Sequence, residues 1–182
     1  MHHAWRRSVS VMDPGSAPTG LLLPRPRFKS VEYGCQSQNT EDGILVYLFG
    51  VIGFTNRVGV EICAGIGSEN NLIQLVLHHG FQAYMIDGDA ANAREAKRFF
   101  REEGWPADAT KPRFDNIFVR RGTINQKIRA AGAAFAGEID LLSLDMDGVD
   151  YWILEVHASW LAACRPSARL LTVCITNDTR RY

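Results

Sequence analysis

Carboxylates and glycines gather at two places in this sequence, each time where an apolar run ends. The first is Val60-Glu61-Ile62-Cys63-Ala64-Gly65-Ile66-Gly67-Ser68, an acid within a β-branched run followed by two glycines one residue apart. Gly65 and Gly67 permit a tight turn and let a ligand approach the backbone with no Cβ in the way. Twenty residues past Gly67 comes Asp87, at the end of another apolar run. Open α/β sheets place there an acid that accepts hydrogen bonds from ribose hydroxyls. Asp89, two residues later, is read as the cap of the next helix. A dinucleotide fingerprint requires a third glycine where this chain has Asn70, so the turn predicts a nucleoside ligand other than a dinucleotide.

The second place is Ile139-Asp140-Leu141-Leu142-Ser143-Leu144-Asp145-Met146-Asp147-Gly148-Val149-Asp150-Tyr151-Trp152. An apolar strand delivers Asp145, Asp147 and Asp150 at its C-terminal end, the edge where such sheets bind ligands. Crowded carboxylates raise one another's pKa unless a cation intervenes, so Asp145 and Asp147 are candidates for a proton acceptor, a divalent metal site, or both. Taken alone, Leu-Asp-Met-Asp-Gly-Val looks like the nucleophile motif of haloacid dehalogenase-type phosphatases. That fold carries the motif on its first strand and needs a later lysine and acidic pair; here only 32 residues follow Asp150, without paired acids. A calcium-binding EF-hand loop begun at Asp145 fails too, because Asp150 stands at its glycine position and Val156 at its glutamate position. The plainer expectation is that Asp147 or Asp150 caps the following helix while Tyr151 and Trp152 pack.

The elements that must hold these residues alternate. Asn39 or Thr40 is expected to cap a helix whose first turn carries Glu41 and Asp42 and whose apolar face is Ile44, Leu45, Leu48 and Phe49. Strands are predicted at 58–62, 83–86, 116–119, 139–144 and 170–175. Helices are predicted at 68–79, capped by Ser68 and stopped by Gly80, at 89–103, at about 125–134 and at about 149–163. Five strands interleaved with helices specify an α/β fold, a Rossmann-like parallel sheet of about five strands with flanking helices. Residues 1–29, with Pro14, Pro18, Pro24 and Pro26, read as a disordered or loosely packed arm, and residues 30–182 as one domain.

Composition narrows the function classes. The chain has 182 residues, 46% of them hydrophobic, enough for one domain with a sizeable core. Twenty basic and twenty acidic residues cancel, which argues against nucleic acid or an anionic membrane as partner and for a small molecule. No run approaches the roughly 18 apolar residues of a membrane span. Arg6-Arg7 lacks the apolar region of an export signal, and Cys35, Cys63, Cys164 and Cys174 form no CxxC pair. With Cys63 and Cys174 read as buried reduced thiols, the expected location is the cytoplasm.

Ser37-Gln38-Asn39-Thr40-Glu41-Asp42-Gly43-Ile44, the Glu61 to Gly67 turn, Ile86-Asp87-Gly88-Asp89 and Asp140 to Trp152 together resemble class I S-adenosylmethionine-dependent methyltransferases of the FkbM-like group. The resemblance covers roughly residues 36–177. It implies methyl transfer from S-adenosylmethionine to an oxygen of a small molecule or sugar. Glu61 then interacts with the methionine portion, Gln38 and Glu41 lie near the cofactor, and Asp145 or Asp147 is the base, directly or through a metal. Asn125 is a weaker candidate for the adenine edge.

The chain departs from the family pattern at its end. That pattern places an acid near the end of the fifth strand, where this sequence has Cys174, Ile175 and Thr176, and continues into an antiparallel hairpin that is lacking here. A protein that binds S-adenosylmethionine without turnover is therefore the alternative. Strand 170–175 is expected to present an open edge that pairs with a second copy or a partner chain.

Overall fold

The computed structural model describes residues 7–11, 27–105, 112–127, 130, 139–146, 148–150, 152–153, 155 and 171–175. They form an α/β fold, consistent with a Rossmann-like domain. Six strands, β1 (Arg7–Val11), β2 (Val58–Ile62), β3 (Gln82–Asp87), β4 (Arg113–Asn116), β5 (Leu141–Leu144) and β6 (Leu171–Ile175), lie in the order β1-β6-β5-β2-β3-β4. All neighbouring pairs are parallel except β1 with β6. The helices among the described residues include α1 (Glu41–Ile52), α2 (Ile73–His79) and α3 (Ala90–Glu102).

Strand alternation divides the core between the two faces of the sheet. Val58, Val60 and Ile62 of β2 join Tyr84, Ile86, Leu142 and Leu144 on the face where Val119, Ile124 and Ile153 pack. Met85, Phe114 and Leu141 point the other way, against Leu45, Leu48 and Phe49 of α1, Ile73, Leu75 and Val76 of α2, and Ala96 and Phe100 of α3. Each large aliphatic side chain buried this way contributes roughly 1.5–3 kcal/mol. Gly59 and Glu61 alternate onto the α2 side, and a Cβ at Gly59 would collide with Leu72, so glycine lets α2 lie close to β2.

Several expected boundaries move. The strand predicted at 116–119 is Arg113–Asn116 instead, because Phe114 enters the core while Asp115 accepts from the Tyr84 hydroxyl at 2.7 Å and from Arg113. The predicted 68–79 helix begins only at Ile73, and Ser68 does not cap it. Gly80 ends it as expected, in the left-handed region at φ 70°. Thr40, which precedes α1, makes no capping hydrogen bond through its side chain and is itself left-handed at φ 69°, and the Ser37 hydroxyl accepts the Asp42 N–H.

Two expectations about the ends of the chain change together. Residues 7–11, inside the stretch read as a loose arm, are a strand, and they pair antiparallel with β6 from Arg7 opposite Ile175 to Val11 opposite Leu171. The edge predicted to be open at 170–175 is thus covered by the chain's own N-terminal segment, which supplies the missing backbone partners. Of the helices predicted at about 125–134 and about 149–163, residues 125–127, 130, 149, 150, 152, 153 and 155 are described, and all but Val149 are helical. No helix among the described residues is long and apolar enough to cross a membrane.

Candidate functional site

The chain runs from β2 outward to β3 and β4, then returns to β5 on the opposite side of β2. The connections therefore diverge between β2 and β5, and a crevice opens at the C-terminal ends of that strand pair, where α/β sheets hold their ligands. A cavity of about 290 Å³ lies there, lined by Gln38, Glu61, Cys63, Ala64, Gly65, Ile66, Glu69, Asn70, Asn71 and Asp145.

Glu61 forms the floor of this cavity. It is 1% exposed, and its two carboxylate oxygens accept the backbone N–H groups of Asn71 at 2.8 Å and Leu72 at 3.1 Å. Those donors open α2, whose first turn has no intrahelical partners, so a strand carboxylate caps the helix from across the turn and takes the place expected of Ser68. The Asn71 amide donates to the Ser143 hydroxyl at 3.0 Å, and that hydroxyl lies 3.4 Å from Glu61 Oε1. Burial pushes the Glu61 carboxyl up to about 7; the Asn71 and Leu72 N–H groups pull against this and the nearby Asp145 adds to it.

The two glycines of the turn have different reasons for being glycine. Gly65, at φ 60°, has nothing within 4 Å of the place a Cβ would occupy, so its backbone borders open space in the cavity wall. Gly67, at φ 91°, does not line the cavity; a Cβ there would stand 3.0 Å from the Ala96 Cα of α3. Gly67 thus holds the turn against a helix rather than against a ligand. Cys63, expected buried, is exposed at φ 62° because it lies past the end of β2, in the turn.

Asp87 ends β3 beside this turn. One oxygen accepts the Gly65 N–H at 2.9 Å; the other accepts the Asp89 N–H at 2.7 Å and the Asn92 side chain at 3.2 Å. It couples the glycine turn to the start of α3 and remains half-buried next to the cavity without lining it. Asp89 caps α3 as expected, accepting the Ala91 N–H at 2.7 Å.

The other predicted residues separate. Gln38 reaches the cavity, whereas Glu41 does not line it; Glu41 is buried at the start of α1 and accepts the Asn39 N–H at 2.8 Å. Its neighbour Asp42 gathers the N–H groups of Cys35, Gln36 and Ser37 on one oxygen and so anchors the loop that carries Gln38. Asp145 lines the cavity opposite Glu61, and Asp147 lies outside the described residues. Asp150 is not a forward helix cap: it accepts the N–H groups of Met146 and Gly148, which precede it, and shapes the turn that presents Asp145. Asn125 is half-buried on the segment after β4 and away from the cavity lining. No three His, Cys, Asp or Glu side chains converge as a metal site among the described residues.

Sequence reasoning did not single out Glu69, Asn71 and Ser143, and treated Asn70 only as a missing glycine. The available signal was the polar pair Asn70-Asn71 at the start of the apolar run Leu72-Ile73, where two amides inside a buried segment need partners. Compared with known families and with curated proteins, the chain matches no family model and no curated protein.

Proposed function

We propose that this protein is an S-adenosylmethionine-dependent methyltransferase acting on an oxygen of a small molecule or sugar. The observation that carries this reading is the cavity between the ends of β2 and β5, walled by the acid-glycine turn. The donor set suits the cofactor: carboxylates face a space that a ligand ammonium and sulfonium would enter, and Gly65 leaves the wall free of a side chain.

When bound, S-adenosylmethionine supplies a methyl group already activated by the sulfonium. The chain's share is therefore positioning and proton transfer. Glu61 fixes the N-terminus of α2 and presents its remaining lone pairs to the methionine end. Asp87, rigidly held by Gly65 and Asp89, keeps further lone pairs for ribose hydroxyls. Gln38, on the loop anchored by Asp42, borders the entrance, and Asp145 takes the proton of the acceptor hydroxyl. Strand β1 runs antiparallel beside β6, so the side of the sheet where the family has its hairpin is closed here from the N-terminal end of the chain.

Titration calorimetry with S-adenosylmethionine is the test, with Glu61→Ala as control. The expected result is binding by the natural protein and a loss of at least tenfold in the variant. Absence of heat in both would end this reading. Binding without methyl transfer to any hydroxyl acceptor would favour the alternative, a binding protein without turnover.

A further inference from the structure

Asn71 makes a connection that neither the helix beside it nor the sheet needs. It stands two residues before α2 begins, and its backbone N–H already meets Glu61 Oε1 at 2.8 Å. Its side chain does not turn back to cap the helix; Nδ2 donates across to the Ser143 hydroxyl of β5 at 3.0 Å. Glu61 and Ser143 stand opposite each other in a register that already pairs β2 with β5 from Gly59 and Leu141 to Ile62 and Leu144. Asn71, Glu61 and Ser143 are all buried, so apolar residues could have filled this space without the cost of taking polar groups from water. The Ser143 hydroxyl directs its one hydrogen to Glu61 at 3.4 Å, long for such a bond, which leaves the Asn71 amide as the firmer tie between the entrance of α2 and β5. A buried polar network of this kind fixes one arrangement of the elements it joins. The next side chain of β5 on the same face is Asp145, which lies one residue past the end of the strand and lines the cavity. Its backbone N–H reaches the Ile62 carbonyl only at 3.4 Å, so the sheet's own hydrogen bonding is loosening there, two residues beyond the tie at Ser143.

We propose that Asn71 is a positioning residue: through Ser143 it sets where Asp145 stands relative to the glycine turn and Glu61 on the other side of the cavity. This rests on the methyltransferase reading above and adds to it the residue that aligns the two halves of the site. In the transfer, the acceptor oxygen forms its bond to the methyl carbon, the carbon–sulfur electron pair stays on sulfur, and the hydroxyl proton passes to Asp145. Asn71 takes no proton and forms no bond in this step; its part is geometric. Displacing a proton acceptor by about 1 Å can cost roughly 100-fold in rate, so a single hydrogen bond two residues upstream of Asp145 is enough to govern turnover.

The test uses the full chain, labelled S-adenosylmethionine and a panel of sugars and phenols, with kinetics on the acceptor that the natural protein methylates fastest. Asn71→Ala and Ser143→Ala should each lower kcat about tenfold or more while the affinity for S-adenosylmethionine, by calorimetry, stays within about threefold. The double variant should be no slower than the slower single one, because both changes break the same bond. Asp145→Asn, expected to cost the natural protein about 100-fold, should cost either variant less than about tenfold, since the base is already out of place. A merely structural role would leave that cost at full size. Ser143→Ala removes one buried oxygen from a residue outside the cavity lining, and it decides the matter alone if Asn71→Ala does not fold. Unchanged kcat in Ser143→Ala, or a full loss from Asp145→Asn in its background, would overturn the inference and leave the methyltransferase reading intact. Binding of S-adenosylmethionine without transfer to any acceptor would overturn it too, there being no proton for Asp145 to take. Failure of the natural protein to bind S-adenosylmethionine would end the functional reading and this inference with it.

Discussion

The turn after β2 and the turn after β5 both follow a fully buried parallel strand, sit side by side in the sheet and carry acids, yet they are built differently. After β2 the backbone itself is unusual: Cys63, Gly65 and Gly67 all have positive φ, and a single acid on the strand, Glu61, ties the turn to the helix behind it. After β5 the acids hold the backbone. Asp140, entirely buried before the strand, accepts the N–H groups of Thr55, Asn56 and Val58, and Asp150 accepts those of Met146 and Gly148, which leaves Asp145 between them to face the cavity. Most carboxylates in an acid-rich segment can thus be structural, and crowding in the sequence does not identify the one that meets a ligand.

The contrast can be broken first at Asp140. Replacing it with Ala removes the acceptor for three backbone donors near the start of β2, and a loss of about 3–5 kcal/mol in unfolding free energy is expected by urea denaturation. If Asp140→Ala keeps its stability and loses ligand binding instead, the division between structural and cavity-facing acids is wrong.

Glu61 sharpens the contrast through pH. Its carboxyl moves from 4.5 to about 7 on folding, so between those values the folded chain holds a proton that the unfolded chain has released. Stability from this group is complete below about 4.5, falls as pH rises, and is lost above about 7, a decline of roughly 3 kcal/mol. Glu61→Gln should flatten that decline in thermal melts run from pH 4.5 to 8. An unchanged slope would mean that Glu61 is ionised throughout.

The two glycines should separate in the same way. Gly67→Ala combines a positive φ with a collision at Ala96 and is expected to cost about 2–3 kcal/mol of stability. Gly65→Ala, with the same backbone strain and open space beside it, should cost about 1 kcal/mol and act chiefly on ligand affinity. Equal destabilisation in the two variants would remove the distinction between a packing glycine and a ligand-facing one.

The smallest effect on stability is expected at Asp145. Asp145→Asn should stay within about 0.5 kcal/mol of the natural protein in unfolding free energy. Under the proposed function it should lower methyl transfer about 100-fold or more, measured with labelled cofactor.

Local signals were legible wherever the partner lies close along the chain. Gly80 stops α2 in the left-handed region, Asp89 caps α3 two residues on, and the apolar face of α1 at Ile44, Leu45, Leu48 and Phe49 is buried as its spacing implies. The start of α2 was not legible, because its cap is a carboxylate ten residues earlier on a strand, and no cap pattern of helix residues contains it. Strand β4 was displaced for a similar reason: Arg113 and Asp115 look like a polar boundary in sequence, but Tyr84 on the neighbouring strand supplies their partner.

What the sequence by itself determined is the alternation of strand and helix, the acid-glycine turn and the element ends whose signal is local, the Gly80 stop and the Asp89 cap. Period, capping and backbone permission are properties of short segments. Tertiary structure alone decided that β5 returns to lie beside β2, that residues 7–11 close the edge of β6, and that Glu61, Glu69, Asn70 and Asp145 share one cavity while Asp140 and Asp150 do not reach it. The physical reason is distance along the chain. Asp140 is bound to Thr55 across 85 residues, and a carboxylate's partners at that range are set by strand order, which no local pattern records.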